Sequence, residues 1–195
     1  MKSKKSNRYT VAFRRKREGR TDYRTRMALL KSGKDRLVIR RSLRGMIAQI
    51  VRYDQKGDIV IVGASSIGLR KFGLKTSGSN IAVSYLVGLL LGKKAAEKGI
   101  KSAIADIGLN SSTKGSKLYA VVKGAIDAGL DVPASPEMFP SKERLEGKDI
   151  MDYAKRLEKE KGSMQFSEYR KNGIAPDEIT GYFDSIRKKI TGGKS

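Results

Sequence analysis

The sequence predicts an α/β fold: a three-stranded antiparallel meander followed by α-β-α in one mixed sheet, with a basic N-terminal arm and a helical C-terminal extension. Three observations predict it. Three β-branched runs lie between residues 35 and 66, joined by short links. A long apolar helical pattern, a short strand pattern and an amphipathic helical pattern then follow in turn. A strand–helix–strand succession supplies a crossover and hence a parallel pairing. Thirdly, residues 1–45 hold 17 Lys or Arg against three Asp or Glu, a net of +14 within a chain of net charge +22. So basic a segment belongs outside a core. The expected organisation is an arm with a short helix over 1–30, an α/β domain over 31–134, and a linker with helices over 135–195.

The arm carries VAFRRKREGRTDYRTR at residues 11–26, seven Lys or Arg with two carboxylates and two aromatics. Tyr23, Met27 and Leu30 recur at helical spacing and are expected to dock its short helix. DRLVIRRS (35–42), GMIAQIVRYD (45–54) and GDIVIVGASS (57–66) read as the meander. Gly45 and Gly57 in the links suit hairpin turns that need positive φ. Alternation places Leu37, Ile39 and Arg41 on one face of the first strand and Val38 and Arg40 on the other. The second face carries charge and is a candidate contact surface.

A helix is expected over 79–98, capped by Ser79 or Asn80, ended by Gly99 and apolar nearly all round at its start. KSAIADIG (101–108) reads as a buried fourth strand. Leu118, Val121, Val122, Ala125 and Ile126 form the stripe of a second helix over 116–128, stopping at Gly129. VPASPEMFP (132–140) holds three of the four prolines and reads as an extended linker. Beyond it SKERLEG, DIMDYAKRLEKEKG and PDEITGYFDSIRKKI are helical patterns. The last has Pro176 at its first position and a stripe of Ile179, Tyr182, Phe183, Ile186 and Ile190. Short helices bury little alone, so this stripe packs either on the α/β domain or on a partner.

Cysteine and histidine are absent from all 195 residues. That excludes a disulfide framework, thiolate or imidazole zinc sites, and nucleophiles activated by histidine. MKSKKSNRYT has no apolar run behind it and does not read as a signal peptide. IAVSYLVGLLLG (81–92) falls short of a membrane span. GLLLGKK has the wrong spacing for a phosphate loop, and SSTK at 111–114 lacks the companion motifs of a serine nucleophile. Lys93, Lys94 and Lys98 read as a solvated helix face or generic phosphate contacts.

Net charge this large calls for a polyanionic partner. An amphipathic membrane binder would set bulky apolar residues opposite its lysines. The arm instead is rich in arginine, suited to bidentate phosphate contacts and stacking on bases. One enzymatic alternative is a ribonuclease-H-like metal-dependent nuclease, with Glu97 and Asp106 as two of the carboxylates around Mg²⁺. Arg36, Arg40 and Arg41 on the first strand would repel such ions, and Asp106 is expected to cap or pair at a strand end.

FRRKREGRTDYRTRMALLKSG (13–33), RLVIRRS (36–42), IAQIVRYDQKGD (47–58), FGLK (72–75), the stretch from YLVGLLLGKK to AIDAGLDVP (85–133) and PSKERLEG (140–147) recur in one order. Together they resemble the universal L-eighteen family of large-subunit ribosomal proteins that bind 5S ribosomal RNA. The extension over 141–195 resembles the archaeal or eukaryotic side of the family, and its modest length the archaeal branch. The resemblance implies a non-catalytic role without cofactor or metal: holding 5S rRNA in the central protuberance and anchoring it to the large-subunit rRNA. It implies neighbouring ribosomal proteins as partners, including the other 5S-associated protein, no membrane, and a place in the cytoplasmic ribosome. Carried over by position, it implies RNA contacts from Arg14, Arg15, Lys16, Arg17, Arg20, Tyr23, Arg24 and Arg26 on the arm. Arg40, Arg41, Arg44 and Gln49 on the meander, with Lys114 and Lys117 before the second helix, follow in the same way.

Overall fold

The structure is a computed structural model and describes residues 10–158 and 166–192. The arm holds α1 (Arg14–Arg17) and α2 (Tyr23–Lys31). The meander is β1 (Arg36–Arg41), β2 (Met46–Arg52) and β3 (Ile59–Ser65). A 3-10 turn over Gly68–Phe72 leads to α3 (Ile81–Glu97), β4 (Ile104–Asp106) and α4 (Lys117–Asp127). The chain continues through α5 (Lys142–Glu146), α6 (Lys148–Glu158), α7 (Ser167–Lys171) and α8 (Ile179–Thr191). The strands form one sheet in the order β3-β2-β1-β4, with β4 parallel to β1 and the other pairs antiparallel. The mixed sheet expected from the sequence is the one observed.

Period-two alternation decides which sheet face is buried. Leu37, Ile39, Met46, Ala48, Ile50, Val62 and Ala64 point inward and are almost wholly buried. A bulge in β3 sets Val62 opposite Ile50 but Val60 opposite Val51. The extra residue, Ile61, lets Val62 enter the core while Val60 joins the outer face. That face stays free of core helices.

As far as Gly92, α3 is apolar nearly all round because it is covered there by the sheet, by α4 and by α8. It crosses α4 backbone to backbone. A Cβ on Gly88 would strike the Val121 carbonyl, and one on Gly124 the Tyr85 carbonyl. Asn80 caps α3 by accepting from Val83 N at 2.7 Å. Gly99 follows it at φ 72°.

The C-terminal stripe docks internally. Ile179, Phe183, Ile186 and Ile190 are buried and belong to the same apolar cluster as α3 and the sheet. The Tyr182 hydroxyl accepts from Lys75 N at 2.6 Å and donates to Gly73 O at 3.0 Å. Of the two expected settings for this stripe, the α/β domain is the observed one, and α8 has no apolar face left for a neighbour.

Several expectations need correction. Gly45 has no positive φ; it is small because a Cβ there would lie 2.7 Å from Ser66 Oγ. Met27 is 57% exposed, so α2 leans on Tyr23, Leu29 and Leu30 instead. The strand within 101–108 shortens to three residues, of which only Asp106 is buried. The proline-rich linker contains a 3-10 turn at Pro136–Met138, and Pro140 is buried. A helix at Ser167–Lys171 had no sequence signal, while residues 159–162 of the expected helix lie outside the described residues, as do arm residues 1–9. The α3 lysines are engaged with carbonyls. Lys93 Nζ donates to Ile190 O at 2.8 Å, Lys94 to Gly63 O at 3.1 Å and Lys98 to Ile61 O at 2.6 Å. The last two cover the unpaired edge of β3, which would otherwise invite another strand.

Candidate nucleic-acid interface

The arm crosses the open face of the sheet, and a chain of alternating charges holds it there. Arg26 on α2 makes a two-pronged pair with Asp58, at 2.8 and 2.9 Å. Asp58 also accepts from Arg36 at 2.6 Å. Arg36 reaches Asp106 at 3.1 Å, and Arg40 reaches the other oxygen of Asp106 at 2.9 Å. Arg36 is only 3% exposed, and its Nε has no hydrogen-bond partner among the described residues. A buried guanidinium is tolerated only when its charge is met, so both aspartates are needed. The bond from Arg26 does most to hold the Asp58 carboxyl below the usual carboxylate range, against the opposing effect of partial burial.

Upstream, Asp22 caps α2, accepting from Arg24 N at 2.9 Å and from the Thr25 hydroxyl at 2.7 Å. Those bonds lower its pKa, the Thr25 hydroxyl contributing most. Arg15 Nε donates to Thr21 Oγ1 at 2.9 Å, folding the first turn back toward the second helix. The Phe13 and Tyr23 rings lie 5.0 Å apart. Between arm and sheet runs a groove of about 590 Å³.

The expected contact residues divide by what their side chains already do. Arg15, Arg20, Tyr23, Arg26, Arg40 and Gln49 come together around the groove. Arg26 and Arg40 are committed: Arg40 Nη1 also donates to the Ile39 and Asp106 carbonyls at 2.8 and 2.7 Å. Arg14 and Arg20 flank Glu18 at 3.5 and 3.3 Å as exposed pairs, worth little in water. Lys16, Arg17, Arg24 and Arg44 are exposed and have no side-chain partner among the described residues. Arg41 donates to Asn110 Oδ1 at 3.0 Å, Lys114 pairs with Glu137 at 2.8 Å and Lys117 donates to Ser79 Oγ at 3.2 Å. None of these three lines the groove.

Sequence reasoning assigned no role to Asp58 and treated Arg36 only as a repellent of metal ions. The available signal was Arg36 itself: an arginine on the covered stretch of a β-branched strand must find a carboxylate. Asp106 holds two guanidiniums, so it pairs at the strand end, as expected, and is not open to a cation. This arrangement presents arginines on a pre-anchored arm and suits a phosphate-rich polyanion.

A family model described as ribosomal large subunit proteins 60S L5 and 50S L18 matches residues 7–103 and 93–135. The chain belongs to this family. It is accordingly a large-subunit ribosomal protein with a structural, non-enzymatic role, to which ribosomal RNA binding fits. The match ends before the C-terminal helices. Among the described residues no helix is long and apolar enough to cross a membrane.

Proposed function

We propose that the protein binds 5S rRNA through the arm and the open sheet face, and anchors it to the large-subunit rRNA in the central protuberance of a cytoplasmic ribosome. The observation that carries this reading is the set of uncommitted cations, Lys16, Arg17, Arg24 and the outer nitrogens of Arg14, Arg15 and Arg20, on an arm clamped to the domain by Arg26 and Asp58. Phosphates supply affinity, while unpaired bases and 2′-hydroxyls supply specificity. The helical extension beyond residue 141 supports an archaeal-type member. Neighbouring large-subunit proteins, including the other 5S-associated protein, would meet polar surface, since the α8 stripe is occupied.

Filter binding to transcribed 5S rRNA tests the reading. With about six to ten phosphates neutralised, affinity falls roughly 10³–10⁵-fold between 50 and 200 mM salt. A flat log–log plot, or equal affinity for an unrelated RNA of the same length, would overturn it.

A further inference from the structure

We propose that the groove between arm and sheet receives a single unstacked nucleotide of the bound RNA, and that the Gln49 side-chain amide reads the edge of its base. This rests on the rRNA-binding reading and names where base recognition occurs. The groove, about 590 Å³, lies in the size range of sites that enclose a small organic ligand. Val38, Val51 and Val60 give it an apolar floor, and Tyr23 stands in one wall, backed by Phe13 at 5.0 Å. Such surroundings suit a base lifted out of its stack.

Gln49 is the half-buried polar group in that floor whose side chain has no partner among the described residues. Its neighbours across the sheet are Val38 and Gly63. Neither side chain can hydrogen-bond to the amide, which keeps both its donor and its acceptor for a ligand. An amide can meet one edge of a base with two hydrogen bonds.

Charge selects the same occupant. Five arginines and three aspartates line the groove. The aspartates are spent: Asp22 caps α2, while Asp58 and Asp106 hold Arg26, Arg36 and Arg40. Arg15 and Arg20 remain as the basic side toward which the nucleotide's phosphate turns. The covering helix keeps a duplex out, whereas one extruded nucleotide fits beneath it.

The test pairs the Gln49→Leu variant with 5S rRNAs in which each unpaired nucleotide in turn is made abasic. For wild-type protein, one abasic RNA is expected to bind about tenfold more weakly than intact RNA. Gln49→Leu should lose a similar factor on intact RNA and nothing further on that abasic RNA, with its salt slope unchanged. Should Gln49→Leu fail to give a cooperative melt, Gln49→Asn replaces it, withdrawing the amide by one methylene with the same expected loss. Intact 5S binding by either folded variant at wild-type strength, or abasic losses equal in variant and wild type, would overturn the groove as a base site while leaving the rRNA reading standing. Failure of the wild type to prefer 5S rRNA would overturn both.

Discussion

Arg36 is the residue on which the open face of the sheet depends. It is 3% exposed and touches Asp58 and Asp106, so its charge is met from two sides. Removing one partner of a buried ion pair strands the other charge, at a cost of about 3–5 kcal/mol. Asp106→Ala should therefore lower unfolding stability by about that much in urea titration. A loss below about 1 kcal/mol would show that Arg36 finds water instead. Asp58 makes the related prediction in pH. Its folded pKa is depressed, so its contribution is complete above the unfolded value near 4 and disappears as pH falls through the lower folded value. Asp58→Asn should flatten the acid limb of the stability profile below about pH 4 and leave its shape near neutrality unchanged. An identical acid limb in both proteins would mean that the clamp contributes nothing to folding.

At the scale of elements, the arm divides in two. α1 buries no residue, and α2 is tied to the sheet through Arg26. Deleting residues 1–20 removes no buried side chain among the described residues, so the thermal transition should stay cooperative with its midpoint little changed. The same deletion should lower the salt slope of RNA binding by roughly 0.7–0.9 for each phosphate that the arm no longer neutralises. Deleting residues 1–33 should also destabilise the fold, because it takes Arg26 from Asp58 and uncovers Val51. Equal stability of the two truncations would show that α2 merely rests on the sheet. The elements were legible wherever a period ran unbroken: β1, β2, β3, α3 and α4 end within about two residues of their expected bounds, the uncertainty inherent in helix and strand ends. What the sequence left hidden is long-range. Arg36 and Asp106 stand 70 positions apart, so a strand arginine announces its need for a partner but not which one. Gln49 and Tyr23 were expected at the RNA, yet the groove they share exists only once Arg26 on α2 has paired with Asp58 beside the sheet. The edge-covering roles of Lys94 and Lys98 depend on how α3 crosses β3, which no local pattern encodes.

For the molecule as a whole, one core serves both the family-matched region and the C-terminal helices. α8 lies on α3 with Ile179, Phe183, Ile186 and Ile190 each at most 3% exposed. Lys93 donates to its Ile190 carbonyl and Tyr182 ties it to the segment after the 3-10 turn. Four such side chains contribute roughly 1.5–3 kcal/mol apiece. Their sum is an upper estimate, because the unfolded chain already shields some apolar surface. Even so, it is comparable with the about 5–15 kcal/mol that separates folded from unfolded for an ordinary domain. A helix this deeply seated cannot be a removable assembly tag. Truncation after Gly173 exposes one flank of α3, including the ground under Phe183 beside Gly147. The truncated protein should therefore lose its cooperative thermal transition, and with it the proposed 5S rRNA binding, although the stretch from Pro176 to Ile190 offers only three Lys or Arg against three Asp or Glu. The milder Tyr182→Phe, which removes two hydrogen bonds and keeps the apolar stripe, should stay folded and bind RNA as the wild type does. A truncated protein that melts cooperatively and still binds 5S rRNA would mean that α8 packs on a domain already complete without it.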